Sequence, residues 1–205
     1  MKRSDLAVYF IMGTENCKED PLLVLEDALK SGITFFQLRE KGANALTGEP
    51  LEKFALACQA LCKEYNVPFI INDNVQLALK INADGVHVGQ DDAPIAQIRE
   101  QFNGKIVGVS VHNDEEMKVA VEGGADYVGI GPIYETQSKA DAKPAAGVSF
   151  LSKARRDYQD FPIVGIGGIT TENASEVLAA GADGVAVISA ICQSADRRET
   201  INLLK

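Results

Sequence analysis

The sequence predicts the α/β class, with eight parallel strands closed into a single (β/α)8 TIM barrel. Three observations carry that expectation. Short apolar runs alternate with stretches of helical periodicity along the 205 residues, the pattern of a parallel sheet covered by helices. Eight such runs can be counted, which fits the closed barrel better than its alternative, an open doubly wound sheet. A loose internal repeat also runs through the chain. NADGVHVGQ (82–90), GADYVGIGP (124–132) and GADGVAVIS (181–189) share Ala-Asp, a short Val/Ile/Gly run and a polar or glycine-rich end, and SGITFFQLR (31–39) is a looser relative.

Taken in order, the first expected strand is Ala7–Met12, followed by the helical stretch PLLVLEDALK. Thr34–Leu38 comes next, before PLEKFALACQALCKEY. Phe69–Asn72, Gly85–Val88 and Ile106–Val109 follow, the last leading to EEMKVAVEGG. Tyr127–Ile130 and Ile163–Ile166 are the sixth and seventh strands, with TENASEVLAAG after the latter. Gly184–Ile188 is the eighth, and DRRETINLLK supplies a final helix. The glycine ahead of a strand suits a helix C-cap. No Ser/Pro-rich linker or low-complexity segment divides the chain, so one catalytic domain over residues 1–205 is expected.

Composition narrows the function classes. The formal net charge is −9, which argues against a nucleic-acid surface, since that needs a basic stripe. A few converging cations can still dominate one cleft and hold a small anion. No apolar run is long enough for a bilayer and no secretory segment is evident, so a cytoplasmic protein without membrane partners is expected. Cys17, Cys58, Cys62 and Cys192 form no CxxC pair. They are read as small buried or half-buried residues, not zinc ligands.

A barrel places its active site at the C-terminal ends of the strands. The second strand runs into Gln37, Arg39 and Lys41, which share a face if the period of two persists. The third ends in Asn72 and Asp73, the fourth in GQDD with Asp91 and Asp92, and the fifth carries Ser110. The sixth leads to Thr136, Gln137, Ser138 and Lys139, within a loop from Glu135 to Gly147 long enough to act as a lid. The seventh ends in GIGGIT and the eighth in Ile188 and Ser189.

Arg39, Lys41 and Lys139 suit a highly anionic group such as pyrophosphate. Asp73 with Asp91 or Asp92 suits Mg²⁺, which combines a few carboxylates with phosphate oxygens and water. Asn72 adds a neutral donor or acceptor. Such a set would bind a metal pyrophosphate and stabilise its departure. The glycines of GIGGIT allow close approach of backbone N–H groups to a phosphate monoester, with Thr170 or Thr171 capping the next helix. Tight packing is the other reading of those glycines, and helix capping the other reading of Asp92. His87 and His112 are the only histidines, and without a partner at motif spacing both are read as structural or peripheral.

The blocks FFQLREKG, IINDN, GVHVGQDD, GVSVH, ADYVGIGPIYETQSK, PIVGIGGIT and GADGVAVISAI closely resemble the thiamine-phosphate synthase family, in order and across essentially the whole chain. The resemblance implies a transferase that joins a 4-amino-2-methyl-5-hydroxymethylpyrimidine diphosphate to a thiazole phosphate and releases pyrophosphate. It implies that Gln37, Leu38, Arg39, Glu40, Lys41, Asn72, Ser110 and Lys139 hold the pyrimidine diphosphate. It places Thr136, Gln137, Ser138, Gly168, Ile188 and Ser189 around the thiazole phosphate. Asp73 and Asp92 become the Mg²⁺ ligands, which selects Asp92 over Asp91. Ser138 stands where the family also uses threonine. The implied partners are these two small molecules, and a homo-oligomer is left open. A thiazole tautomerase or a non-catalytic phosphate-sensing barrel would not require the QLREK cations, the paired carboxylates and Lys139 together.

Overall fold

In a computed structural model of the protein, the described residues are 1–90, 94–136, 138 and 144–205. Among them, eight strands form a closed parallel barrel in sequential order, the last pairing with the first. They are β1 (Val8–Met12), β2 (Phe35–Leu38), β3 (Phe69–Asn72), β4 (Gly85–Val88), β5 (Ile106–Val111), β6 (Tyr127–Ile130), β7 (Ile163–Ile166) and β8 (Gly184–Val187). The helices are α1 (Pro21–Lys30), α2 (Gly48–Glu64), α3 (Val75–Lys80), α4 (Ile95–Gln101), α5 (Asp114–Glu122), α6 (Ser149–Asp157), α7 (Ala174–Ala179), the single turn α8 (Ser189–Cys192) and α9 (Arg197–Leu203).

Strands that directly abut charged residues still read as mainly apolar runs because both of their faces are covered. All of β1, β2, β4, β6 and β8 is buried. One expectation needs correction: β5 continues through Ser110 to Val111 instead of stopping at Val109. Near the mouth of a barrel, an inward position faces a polar cavity, so a serine there does not mark the end of a strand.

The sequence repeat has a physical content. Gly32, Asn82, Gly124 and Gly181 all adopt positive φ, at 93°, 55°, 87° and 109°. Each ends a helix by one pattern. Its N–H reaches the carbonyl three residues back, and the next N–H reaches the carbonyl five residues back, as in Ala125 N to Ala120 O at 3.0 Å. That is the Schellman closure, which needs a residue tolerant of the left-handed region.

Two residues after each of these stands Thr34, Asp84, Asp126 or Asp183, just before β2, β4, β6 or β8. Its side-chain oxygen accepts an N–H from the first or second residue of the preceding odd-numbered strand. Val8 N donates to Thr34 Oγ1 and Phe69 N to Asp84 Oδ2, both at 2.9 Å. Val107 N donates to Asp126 Oδ2 at 2.8 Å, and Ile163 N to Asp183 Oδ2 at 2.9 Å. The Ala-Asp repeat is therefore a set of clamps at the closed end of the barrel, satisfying strand N–H groups that have no ladder partner. It fixes the strands far from the chemistry.

Asp183 is the most deeply engaged clamp. It also accepts from Arg155 Nη2 at 2.7 Å and Arg3 Nε at 2.6 Å. Arg155 in turn donates to the carbonyls of Tyr158, Gln159, Phe161 and Gly181, which closes the β7 and β8 end of the barrel floor. No helix among the described residues is long and apolar enough to cross a membrane.

Candidate active site

The C-terminal ends of the strands surround a cavity of about 820 Å³, ample for a small-molecule site. Arg39, Lys41, Asn72 and Asp73 line one side of it, from β2 and β3. Thr136, Ser138, Gly168, Ile188 and Ser189 line the other, from the loops after β6, β7 and β8. Ser110 and His87 stand between the two sides, on β5 and β4. Eleven of the residues expected in the site fall within the described part and face or adjoin this one space.

On the charged side, Lys41 Nζ lies 2.6 Å from Asp73 Oδ2. Asp73 has φ +59°, a left-handed conformation that aspartate tolerates better than most residues and that recurs at functional sites. Its N–H donates to His87 O at 2.8 Å, which ties the tip of β3 to β4. Arg39 is 9% exposed and its N–H donates to Met12 O at 2.9 Å, so β1 fixes its backbone. Gly13 makes that contact feasible, because a Cβ there would lie 2.2 Å from Arg39 O.

Two neighbours of Arg39 play other parts than a side-chain contact. Leu38 takes the opposite face by alternation and is buried in the core. Glu40 turns its carboxylate to the framework, accepting from Thr14 N at 2.8 Å and Leu46 N at 2.9 Å. Both are absent from the cavity wall, so substrate could meet them only through their main chain. Gln37 is 2% exposed and sits on the floor below the mouth, lining a small recess with Tyr9, His87 and Ser110.

On the glycine side, Ser138 Oγ donates to Ser189 Oγ at 3.4 Å, which brings the β6 and β8 loops together. Gly168 has φ +64°, and a Cβ on it would lie 2.4 Å from Glu135 O. The glycines after β7 therefore also serve close packing against the β6 loop. Neither Thr170 nor Thr171 caps the next helix. Asn173 is the N-cap of α7, and its side chain accepts from Thr170 N at 2.8 Å and donates to Gly168 O at 3.0 Å. The TENASEVLAAG stretch spends its first residues on that turn, which is why α7 is short.

Asp91, Asp92, Gln137 and Lys139 lie outside the described residues. The middle of the expected lid loop, including Lys143, does too. Among the described residues no group of three or more His, Cys, Asp or Glu could hold a metal. Mg²⁺ needs no such cage, because one or two carboxylates plus substrate phosphate and water suffice. Asp73 and Asn72 fit it as hard oxygen donors.

His87 is not peripheral. It is buried, with Nδ1 2.9 Å from Tyr127 Oη and Nε2 2.9 Å from Ser110 Oγ. Tyr127 Oη lies 2.7 Å from Tyr9 Oη, which accepts from Gln37 Nε2 at 2.6 Å. Burial pushes both phenols up, so both stay neutral hydroxyls. The ring of Tyr127 fits because Gly108 has no side chain, where a Cβ would lie 2.1 Å from it. His112 lines the mouth and pairs with Glu116 at 2.7 Å. Cys58, Cys62 and Cys192 are buried and Cys17 half-buried. Cys17 and Cys192 approach to 3.7 Å between the β1 and β8 loops, and all four thiols are free.

Fold and mouth define a (β/α)8 barrel for small anionic substrates, cations and carboxylate on one side and hydroxyls and glycine backbone on the other. A family model described as thiamine monophosphate synthase matches residues 8–191. The chain is 56% identical over 206 residues to the thiamine-phosphate synthase of Lysinibacillus sphaericus (strain C3-41), covering 100% of this chain and 97% of that one. It is 60% identical over 186 residues to that of Bacillus mycoides (strain KBAB4), covering 91% and 85%. A solved thiamine phosphate pyrophosphorylase from Pyrococcus furiosus superposes with a TM-score of 0.87 at 35% identity, covering 98% and 95%. The chain belongs to the thiamine monophosphate synthase family.

Proposed function

We propose that this cavity joins the two halves of thiamine phosphate by a metal-assisted departure of pyrophosphate. Family membership makes the chain a transferase that forms thiamine phosphate from small-molecule substrates. The reading of how it does so rests on one observation: Arg39, Lys41 and Asp73 stand together on one side of a cavity whose other side holds Ser138, Gly168 and Ser189.

The diphosphate of the pyrimidine substrate belongs on the charged side. The bond between its methylene carbon and the diphosphate oxygen breaks, and the electron pair leaves with the oxygen. Arg39 and Lys41 neutralise the charge that accumulates there. Asp92 and Lys139 keep the roles that the family resemblance implies for them, as metal ligand and third cation. Mg²⁺, held by Asp73 and Asp92, would supply further neutralisation of the leaving oxygens. The thiazole phosphate belongs on the glycine side, where Ser138, Ser189 and the backbone at Gly168 receive its monoester. Its ring nitrogen then donates a lone pair to the methylene carbon, forming the new C–N bond. The cavity supplies register, holding nucleophile and electrophile in line. A cytoplasmic setting belongs to the same reading.

Chelation tests the metal. With EDTA, turnover should fall by at least about 100-fold, the equivalent of roughly 2.7 kcal/mol, and added Mg²⁺ should restore it. Asp73→Asn should need more Mg²⁺ for half-maximal rate. Turnover unchanged in EDTA would overturn the metal's part in this reading.

A further inference from the structure

Cys17 and Cys192 stand apart from the other two thiols. Cys58 and Cys62 are shut inside the packed face of α2 at 0% exposure, and burial pushes both up. Cys17 follows the single turn Thr14–Asn16 after β1 and is half-buried. Cys192 is the last residue of α8, the turn after β8. Strands β1 and β8 are neighbours in the barrel, so their loops meet, and the two sulfurs lie 3.7 Å apart. The hydrogen bond to Cys192 holds the Cys17 thiol below its usual range, and Arg197 adds to that against the cost of partial burial. Cys192 is pushed the other way by the same bond and by its own burial. Arg197 is 9% exposed and donates to Glu19 at 2.7 Å and to Asp27 at 3.2 Å. Its Nε–H is buried and has no partner among the described residues. A cation acting on an accessible sulfur makes a reactive cysteine, and a second sulfur within reach makes its resolving partner.

We propose that Cys17 and Cys192 are a modification site, at which a low-molecular-weight disulfide installs a bond between the two sulfurs across the rim of the cavity. Cys17 is the more exposed member. Its thiolate attacks one sulfur of the reagent, forms a mixed disulfide and expels the first small thiolate. Cys192, 3% exposed, then attacks Cys17 Sγ. The second small thiolate leaves and carries away the Cys192 proton. Two protein thiols lose two electrons, and one small disulfide gains them and becomes two small thiols. A disulfide holds its sulfurs about 2.05 Å apart, so closure asks for less than about 2 Å of combined movement. Asn16 precedes Cys17 and Gln193 follows Cys192, and both line the cavity. The turn α8 has four residues, so a pull on Cys192 passes to Ser189 at its other end and from there to Ser138. Arg39, Lys41 and Asp73 follow β2 and β3, outside the crosslink. The bond therefore disturbs the glycine side and spares the charged side. That consequence rests on the proposed placement of the thiazole phosphate, whereas the thiol pair itself does not. In a reducing compartment such a bond is transient, which suits a switch.

The test uses oxidised glutathione, mixed with the purified full chain at stepped ratios to reduced glutathione and read by intact mass and peptide mapping. The expected product has lost two hydrogens and carries Cys17 linked to Cys192, with Cys58 and Cys62 still reduced. Cys192→Ser should stop at a stable mixed disulfide on Cys17, and Cys17→Ser should leave Cys192 unmodified. No linked peptide in the wild type, or a mixed disulfide on Cys192 in Cys17→Ser, would overturn the site. Kinetics of the oxidised chain supply the second arm. KM for the thiazole phosphate should rise about tenfold, as for one lost polar contact, while KM for the pyrimidine diphosphate stays within about twofold. Dithiothreitol should restore the starting value, and Cys17→Ser given the same oxidant should keep it. Equal changes for both substrates, or none, would overturn the effect on the glycine side. Absence of thiamine phosphate with the reduced wild type would instead strike the synthase reading, while the peptide map would still decide the thiol pair.

Discussion

Arg39→Ala should lower kcat/KM by about 10²–10³, the range seen when one preorganised charge or donor is removed from a developing anion. Arg39 reaches the cavity from the strand-end segment after β2, is 9% exposed, and takes its backbone position from Met12 O. The alanine keeps that main-chain bond and loses the guanidinium. Arg39→Lys keeps the charge but loses the planar fork that meets two phosphate oxygens at once, so a loss of about tenfold is expected. Unfolding free energy should change far less than the activation barrier, by about 1 kcal/mol. Steady-state kinetics beside thermal denaturation separates the two effects. A wild-type rate in Arg39→Ala would remove the residue from the leaving-group side.

Asp183→Ala should be the most damaging of the clamp variants and should spare the chemistry. The carboxylate is 6% exposed and accepts from Arg155, Arg3 and the N–H of Ile163. Removing one partner of such a pair leaves buried charge uncompensated, which costs about 3–5 kcal/mol. Arg155 keeps its four backbone acceptors, so the lower end, about 3 kcal/mol, is expected. For a chain of this size that corresponds to a fall of about 6–12 °C in Tm. Asp126 holds Val107 N and Arg99, and should cost less. Asp84 is exposed and among the described residues its carboxylate serves Phe69 N alone, for about 1 kcal/mol. The order Asp183, Asp126, Asp84 is the signature of the clamp. Equal losses at the three positions, measured by urea unfolding, would show that the repeat has another basis.

These two residues illustrate what could be read from the sequence. The strands were legible because apolar runs covered on both faces carry a strong signal; β3, β4, β6 and β7 have the expected bounds. The repeated Ala-Asp was visible as a pattern, but its meaning was not. The hydrogen bond that Ile163 N donates to Asp183 links two strands, and only the closed sheet reveals it. Convergence of Arg39, Lys41, Asn72 and Asp73 followed from the barrel topology, since adjacent parallel strands bring their tips together. Ser110 was legible as a residue facing the barrel mouth and misleading as a strand end. Leu38 and Glu40 belong to the same segment as Arg39, yet pleat and framework bonds turn their side chains away from the cavity.

The buried hydrogen-bond chain from Gln37 to Ser110 was hidden for a different reason. Tyr9 and Tyr127 are 118 positions apart, and an aromatic residue inside an apolar strand reads as core. Each is core, at 1% and 0% exposure. Its hydroxyl is what departs from that reading, and nothing local in the sequence marks it. One signal was present: His87 and Gln37 are polar residues at inward strand positions, which a barrel core accepts only when partners await them.

The most direct test of the account is to supply the purified chain with the pyrimidine diphosphate, the thiazole phosphate and Mg²⁺, and to quantify thiamine phosphate and pyrophosphate in the same samples. The account predicts equal amounts of the two products, lost together in Arg39→Ala. Pyrophosphate released without thiamine phosphate, or no product while the thiazole phosphate still binds, would contradict the joining of both halves in this one cavity.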